Sequence, residues 1–373
     1  MAAYINAYSI ITPEHRDAAS LKQAILHVRI PERFAIAPEV YTGFRSDAEL
    51  DVSYDETAVL AVTLVNDLAQ RAGISSKDLR DIPVIIANSK GGVRSFERLF
   101  TAFMHSGDVD GSFASVPPYH AGSVLAGHFG ITAPVISVQS ACASGITALI
   151  AGTRMLERGY ERVIVIAVES SSTGIMHAGF DALDVLTPET VMRPFAENRG
   201  GFIMSEGGAA VLLSREQQRA YAEVERIVEA ADASHYIRFR ADGSTIQNAM
   251  KRLAYSRNDI DAVIAHGTAT ENDIIEANAA HSVWGDVPVT GLKTYLGHSL
   301  GANALIEITA CIDLAREGYI AHLPASLPVA HDIRANIITA PVRHEVRRFV
   351  KLAYGFGGCI ALAGIRILNG AAD

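Results

Sequence analysis

The sequence predicts an α/β protein in which two pseudo-duplicated halves place mixed, mostly parallel sheets between layers of helices. Three observations support this prediction. Short runs of β-branched residues alternate with helical patterns along the chain, as in successive βαβ units. A helix rich in small residues follows a strand and a turn in each half. The 373 residues are 49% apolar and 20% charged, which suits a chain with a substantial buried core.

The strands are predicted where short apolar runs are bounded by turn residues, a pattern typical of strands buried on both faces. In chain order they are Tyr4–Ile11, Pro83–Ala87, Val135–Val138, Arg162–Ala167, Gly208–Ser214, Ala262–Ala265, Val287–Gly291, Phe349–Tyr354 and Ile360–Ile367. Helices are predicted between them, where apolar residues recur three and four positions apart. They include Glu56–Ala72, Cys142–Arg158, Ser244–Ala254 and Ala302–Arg316.

Two helices rich in small residues indicate that the halves repeat one plan. Ala141–Ala148 begins one of them, and Gly301–Ile306 begins the other. Small side chains on successive turns let helices pack closely, so both are expected at the centre of the molecule. Alanine-rich helices also occur without any duplication. We place the division between an N-terminal half, 1–218, and a C-terminal half, 219–373, which share one core because no linker-like segment separates them.

Charge, hydropathy and cysteine content exclude several classes of protein. A formal net charge of −9 does not favour nucleic-acid binding. No apolar run approaches the roughly 18–20 residues that cross a bilayer. The first residues lack the basic and apolar regions of a signal peptide. Three cysteines are too few for a disulfide framework. These features predict a cytoplasmic protein without membrane or nucleic-acid partners.

Cys142 is the first candidate catalytic residue. It lies in Ser137–Gly145, after a predicted strand and at the start of a predicted helix. Unpaired N–H groups and the helix dipole at such a position favour a thiolate over a thiol. The backbone N–H of Cys142 can also bind an oxyanion. An isolated cysteine in an apolar stretch is more often an inert packing residue, so the other motifs decide between these interpretations.

Two histidines are candidates for proton transfer or for binding negative charge on oxygen. His266 follows the strand Ala262–Ala265, and the next turn carries Thr268 and Thr270, which are candidate substrate-binding residues. His298 precedes the second small-residue helix, and a helix N-terminus keeps an imidazole neutral and able to polarise a carbonyl. A structural histidine that caps the strand is the alternative for His266.

Lys293 is the candidate that links the two histidine motifs. It lies five residues before His298, in a segment predicted to be buried. A buried lysine needs a carboxylate partner, and Glu307 in the following helix is the natural candidate. A solvated surface lysine is the alternative.

Four motifs in this order resemble those of the decarboxylating β-ketoacyl synthases, the condensing enzymes of fatty-acid and polyketide synthesis. They are Ser137–Gly145, His266–Thr270, Gly291–His298 and Gly355–Gly358. The resemblance extends over nearly the whole chain and includes the acyl-carrier-protein synthases I and II and the polyketide ketosynthases. It implies the thiolase-like fold and a dimer, either a homodimer or a heterodimer with a ketosynthase-like partner.

The resemblance implies a role for each matching side chain. Cys142 would be the acylated nucleophile. His266 and His298 would assist decarboxylation of a malonyl thioester and bind the developing enolate. Lys293, paired with Glu307, would organise the histidines. This set resembles the decarboxylating branch of the family, because thiolases use a second cysteine as a base.

The resemblance also implies the reaction and its supporting residues. An acyltransferase of this kind joins an acyl thioester to malonyl-acyl-carrier protein, releasing CO2 and forming a β-ketoacyl product. The N–H groups of Cys142 and Phe356 would form the oxyanion hole, and Gly357 belongs to the turn that supports it. No bound cofactor and no metal are implied, since the substrates ride on the phosphopantetheine arm of acyl-carrier protein, the implied partner.

Several positions depart from the family pattern. Gly200 stands where an aspartate is usual, Ala304 replaces a common glycine, and Cys359 follows the final turn where threonine is common. None of these changes removes a catalytic side chain. They favour a divergent enzyme, for example of a polyene or other secondary-metabolite pathway. Lys90 aligns near the family's acyl pocket and would favour an unusual acyl tail there, or else is a surface lysine.

Two alternatives remain besides the condensing enzyme. A chain-length-factor-like subunit would bind another ketosynthase without catalysing condensation, but such subunits usually lack the nucleophilic cysteine. Thiolase-like chemistry on coenzyme A fits the predicted fold but not the histidine pair.

Overall fold

Strands and helices alternate along the chain in a computed structural model that describes residues 2–51 and 53–368. The strands are β1 (Ala3–Ile11), β2 (Val84–Ala87), β3 (Val135–Val138), β4 (Arg162–Glu169), β5 (Gly207–Ser214), β6 (Ala222–Ala231), β7 (Ala262–Ile264), β8 (Pro288–Thr290), β9 (Tyr319–Ile320), β10 (Asn336–Ile337), β11 (Val342–Arg343), β12 (Arg348–Gly355) and β13 (Cys359–Ile367). The α-helices are α1 (Ala18–Leu26), α2 (Pro38–Asp47), α3 (Glu56–Ala72), α4 (Ser76–Leu79), α5 (Val93–Ser106), α6 (His120–Phe129), α7 (Ser144–Glu157), α8 (Gly174–Asp181), α9 (Ser244–Arg252), α10 (Asn272–Trp284), α11 (Lys293–Leu296) and α12 (Asn303–Arg316).

Within the described residues, eleven strands form one mixed sheet in the order β10-β8-β7-β12-β13-β6-β1-β5-β4-β2-β3. Strands β2 and β5 are buried at every residue and β4 at all but its first, as expected for strands with helices on both faces. The flanks are parallel, as predicted. The centre is antiparallel from β12 through β13, β6, β1 and β5 to β4.

The two halves have the same strand arrangement, which confirms the predicted duplication. One half runs β1-β5-β4-β2-β3 across the sheet, and the other runs β6-β13-β12-β7-β8. Corresponding neighbours pair in the same direction. The halves join where Ala3–Ile5 of β1 pairs with Ala222–Val224 of β6. The division between residues 218 and 219 stays a prediction.

The two small-residue helices, α7 and α12, pack closely at the centre of the molecule. Each has 14 residues, and their apolar side chains belong to one core cluster. A Cβ atom on Gly145 would lie 3.0 Å from the backbone nitrogen of Leu305 and 3.3 Å from the carbonyl oxygen of Gly301. Glycine at position 145 therefore permits the close approach that brings the start of each helix into one region.

The structure corrects two sequence predictions and shows how long and apolar the helices are. Strand β6 was missed, because its glutamates alternate with apolar residues in a segment that offered no buried run. Helix α7 begins at Ser144 rather than Cys142, because the preceding residues form a turn. No helix among the described residues is long and apolar enough to cross a membrane.

Candidate active site

Cys142 lies in a tight turn between β3 and α7. Ala141, the residue before it, has a φ of +49°, a left-handed conformation that is uncommon for alanine. The Ser144 hydroxyl stabilises the turn: its oxygen accepts from the Ser140 N–H at 2.8 Å and it donates to the Ala141 carbonyl at 2.6 Å. The turn presents the partly exposed Cys142 ahead of the helix rather than within its first turn.

The end of β12 covers the backbone of this turn. A Cβ atom on Gly355 would lie 2.7 Å from the Ser140 carbonyl oxygen and 3.0 Å from the Cys142 nitrogen. Only glycine therefore lets the two segments approach so closely. Phe356 follows and shares one apolar cluster with Cys142. Gly357 has a φ of +84° and donates its N–H to the Tyr236 carbonyl at 2.7 Å, which fixes the turn after Phe356.

The two predicted histidines lie side by side and are buried. Their ring centroids are 5.3 Å apart, with the planes at 81°. The His298 backbone is fixed by hydrogen bonds with Ile203 and Ser205, and Phe202 places its ring 5.0 Å from that of His298. Phe202 belongs to the same apolar cluster as Cys142 and Phe356. The structure therefore brings the nucleophile candidate, the histidines and the final turn into one region.

Two buried carboxylates hold the loop that carries His266. Glu276 accepts the N–H groups of His266 and Gly267, at 2.8 and 2.5 Å. Asp273 accepts the N–H of Thr268 at 2.8 Å and also those of Phe195 and Ala269. The hydroxyls of Thr268, which is buried, and Thr270 lie 3.0 Å apart in this loop.

Behind the histidines lies an ion cluster of Lys293, Glu307 and Lys351, all with fully buried side chains. Lys293 donates to Glu307 at 3.1 Å and also to the His266 carbonyl. Lys351 pairs with the other oxygen of Glu307 and donates to the Ala265 carbonyl at 2.8 Å. The predicted pairing of Lys293 with Glu307 is present, and the cluster carries one more positive charge than negative.

Burial and this cluster favour neutral imidazoles. Burial lowers the pKa of His266 well below its usual value, and Lys293, His298 and Lys351 lower it further. Burial likewise lowers the pKa of His298, with Lys293 and Lys351 acting in the same direction and Asn303 in the opposite one. Both rings can therefore donate hydrogen bonds from N–H without carrying charge at neutral pH.

Burial acts on Cys142 in the opposite direction to the sequence prediction. It raises the pKa of the thiol to about 12, while the positive charges of Lys90 and Lys293 lower it. Burial therefore opposes the thiolate-favouring effect that the sequence predicts for the start of a helix, and α7 itself begins two residues later, at Ser144.

Sequence reasoning missed three supporting residues. Lys351 is a lysine inside an otherwise apolar strand, and that position was a readable signal for a buried cation. Asp273 and Glu276 lie three residues apart on α10, which places both on one face toward the loop.

Lys90, which the sequence placed either near an acyl pocket or on the surface, is exposed, and its Nζ lies 5.6 Å from the ring centroid of Phe180 beside the apolar cluster.

No group of three or more histidine, cysteine, aspartate or glutamate side chains in the described part of the chain is placed to hold a metal ion. The polar groups around Cys142 instead engage one another and the backbone. Their arrangement provides a thiol, two neutral N–H donors and backbone N–H groups beside one apolar cluster. Such a set suits acyl transfer followed by stabilisation of negative charge on a thioester oxygen.

Comparison with known proteins gives the same assignment. The family model for the β-ketoacyl synthase N-terminal domain matches residues 40–219, and that for the C-terminal domain matches residues 221–325. The ketoacyl synthase alpha subunit of the tetracenomycin polyketide synthase from Streptomyces glaucescens is 28% identical over 300 residues, covering 72% of this chain and 70% of that protein.

Solved structures share the fold at low sequence identity. The ishigamide ketosynthase/chain length factor superposes with a TM-score of 0.87 at 21% identity, covering 98% of this chain and 99% of the other. A type II polyketide synthase acyl-carrier protein in complex with its ketosynthase bound to the hexaketide contains a chain with a TM-score of 0.83 at 19% identity, with coverages of 98% and 99%. The fold is thiolase-like, as predicted, and this chain belongs to the β-ketoacyl synthase family of condensing acyltransferases.

Proposed function

We propose that this chain catalyses a decarboxylative Claisen condensation between an acyl group on Cys142 and malonyl-acyl-carrier protein. The observation that carries the proposal is the pair of buried histidines, 5.3 Å apart, held neutral beside the apolar cluster that contains Cys142. Two neutral N–H donors at one position suit an oxygen that gains negative charge during the reaction.

In the first step, the sulfur of Cys142 attacks the carbonyl carbon of an acyl thioester. The carbonyl electrons move to oxygen, which the N–H groups of Cys142 and Phe356 stabilise. When the carbonyl re-forms, the bond to the departing thiol breaks, and the thiol proton of Cys142 ends on that leaving group. The acyl group is now a thioester of Cys142, which divides one difficult transfer into two easier ones.

In the second step, the malonyl carboxylate leaves as CO2 and its bonding electrons form an enolate. The enolate oxygen accepts hydrogen bonds from His266 and His298, each worth about 2–4 kcal/mol by analogy with oxyanion-hole donors. The enolate carbon then attacks the acyl carbonyl on Cys142. The Cys142 thiolate leaves and takes up a proton, and the β-ketoacyl product remains on the carrier.

Acyl-carrier protein is the proposed partner, and its phosphopantetheine arm is the proposed carrier of both substrates. The hydroxyls of Thr268 and Thr270 belong to the loop that carries His266, and they are the proposed partners for polar groups of the arm. The solved complex of a related fold, in which a carrier protein is bound to its ketosynthase, supports this proposal.

A second ketosynthase-like subunit is the other proposed partner, as an identical copy or as a different chain. Helix α5 exposes an apolar face at Phe96, Phe100, Phe103 and Met104. Strand β3 is an edge strand with Ile136 40% exposed. An exposed apolar helix face and an unpaired strand edge are each typical of a subunit interface. The three free cysteines and the absence of a membrane-spanning helix among the described residues support a cytoplasmic location.

The acyl adduct on Cys142 tests the proposal directly. Incubation with acyl-loaded carrier protein followed by peptide mass spectrometry should find the acyl group on Cys142 in the unaltered chain and none in Cys142→Ala. The variant should also lose condensation, because no acyl-enzyme can form. Cys359→Ala is the matched control, since Cys359 lies beside the same turn but outside the proposed chemistry. An adduct on another residue, or none in the unaltered chain, would contradict the proposal.

A further inference from the structure

Lys351 is a fully buried lysine in the middle of strand β12. Its neighbours along the strand are apolar, and its side chain has no exposed surface. Removing an ammonium group from water costs several kcal/mol, and an apolar residue would satisfy the packing of this strand. The lysine therefore needs a reason beyond the packing of the sheet.

Lys351 and Lys293 make equivalent contacts: each donates to a backbone carbonyl beside His266, and each pairs with Glu307. Lys351 donates to the Ala265 carbonyl at 2.8 Å, and Lys293 donates to the next carbonyl, that of His266. Each lysine pairs with a different oxygen of Glu307. One carboxylate thus holds two cations, and the two cations fix two successive carbonyls on the strand end that carries His266.

We infer that Lys351 is a second positioning residue for the histidine pair, in addition to Lys293. It fixes the carbonyl before His266 and places a second positive charge behind both imidazoles. The inference rests on the proposed function, because it assigns Lys351 to the decarboxylation step. It does not extend to the acylation of Cys142, which uses backbone N–H groups.

The charges around the histidines explain why one more cation matters. Lys293 pairs with one oxygen of Glu307, and Lys351 adds a second cation at the other oxygen; burial lowers the pKa of Lys351, whereas Glu307 raises it. Asp273 and Glu276, both on helix α10, accept hydrogen bonds from backbone N–H groups of the His266 loop. Burial raises the pKa of Glu276 to about 8 and that of Asp273 to about 6, and Lys351 favours the charged form of Glu276.

Three further titratable groups, Tyr354, Cys142 and Cys311, belong to this environment, and burial raises the pKa of each, so none adds charge at neutral pH. The Tyr354 ring lies 5.8 Å from that of His266, and burial raises the pKa of its hydroxyl. Burial also raises the pKa of the Cys142 thiol to about 12. The charge behind the imidazoles is therefore set by the two lysines and the buried carboxylates.

The expected sign for Lys351 follows from its charge. A nearby cation disfavours protonation of an imidazole, so losing the cation raises the pKa of both histidines. Decarboxylation requires neutral imidazoles. On acidification, a variant without the cation should therefore lose decarboxylation at a higher pH than the unaltered chain does. The acid limb of the pH–rate profile should therefore move to higher pH in a variant without the charge.

Malonyl decarboxylation measured as CO2 release from malonyl-acyl-carrier protein across pH 5 to 9 tests this inference. Lys351→Met removes both the charge and the donor, and Lys351→Gln removes the charge while keeping a donor. Both should move the acid limb to higher pH, and Lys351→Met should lower the rate about tenfold or more. Acyl-adduct formation on Cys142 should persist in both.

Lys22→Met is the matched control, because Lys22 is also a buried lysine with two carboxylate partners, Asp313 and Glu317, outside the site. It should leave the acid limb in place. An unchanged profile in folded Lys351→Met and Lys351→Gln would overturn the inference, as would failure of both to fold. Absence of CO2 release from the unaltered chain would instead refute the proposed function.

Discussion

At the scale of single residues, the environment of Cys142 decides how the nucleophile is activated. Burial raises the pKa of its thiol to about 12, and Lys90 is the first of the charges that lower it. Lys90 is exposed and has no carboxylate partner among the residues that the structure describes. Its positive charge is therefore available to stabilise the thiolate, whereas Lys293 is committed to Glu307.

Replacing Lys90 should make Cys142 less reactive. Lys90→Met removes a positive charge and so raises the pKa of the thiol, leaving less thiolate at any pH below it. Alkylation of Cys142 by iodoacetamide at pH 8 should slow about threefold, a modest effect because the lysine is exposed and screened by solvent. Lys77→Met, at an exposed lysine on α4, should leave the rate unchanged. Equal rates in both variants would show that Lys90 does not act on the thiol.

The residues that carry chemistry and the supporting pair Lys293–Glu307 could be predicted from their motifs, whereas the contacts of Lys351 and Glu276 could not. Cys142, His266 and His298 stand beside glycines and turns that mark a site in the sequence. Lys351 and Glu276 stand in a strand and a helix, where only the folded chain shows which carbonyl or N–H each one contacts. Long-range contacts of this kind leave little trace in local sequence.

At the scale of elements, the bounds of a helix could be predicted where capping residues mark both of its ends in the sequence. Helix α3 was predicted with its observed bounds, because Asp55 caps its start and Gly73 ends it in a left-handed conformation. Strand β6 was missed because its glutamates are compensated across the sheet: Glu223 pairs with Arg366, and Glu225 with Arg348. Partners on other strands cannot be read from the strand itself.

Gly355 permits the close contact between the end of β12 and the turn that carries Cys142, so a larger residue at this position should disturb that turn. A Cβ atom there would lie 2.7 Å from the Ser140 carbonyl oxygen and 3.0 Å from the Cys142 nitrogen. Gly355→Ala should therefore lower the rate of Cys142 acylation at least tenfold, since small displacements of a reacting group are costly. It should also lower the free energy of unfolding by about 1–3 kcal/mol through overpacking.

Gly127→Ala is the control for that experiment. Gly127 lies in helix α6, where a Cβ atom would contact nothing within 4 Å. Alanine should stabilise the helix there by about 0.5–1 kcal/mol and leave acylation unchanged. Acylation by Gly355→Ala at the unaltered rate would show that the two segments tolerate separation.

At the scale of the whole molecule, duplication explains how the site is assembled. One half supplies Cys142 after β3, and the other supplies His266 after β7 and His298 before α12. Corresponding helices, α7 and α12, begin close together because Gly145 permits the approach. The alternation of strands and helices made this plan predictable, but the antiparallel centre of the sheet depends on pairing between strands far apart in the chain.

The groups that the two halves bring together also bear on the chain-length-factor-like alternative. A subunit without catalytic activity would have no need for a thiol, two neutral imidazoles and a buried ion cluster in one region. The described residues retain all of these groups in contact with one another or with the same cluster. Catalysis by this chain itself is therefore the favoured account.

The measurement that tests the central claim most directly separates the two steps in a His298→Ala variant. Acylation of Cys142 should persist near the unaltered rate, because it relies on backbone N–H groups. CO2 release from malonyl-acyl-carrier protein should fall about a hundredfold, since one of two enolate donors is lost. His27→Ala, at an exposed histidine after α1, should change neither step. Unchanged CO2 release in His298→Ala would contradict the account.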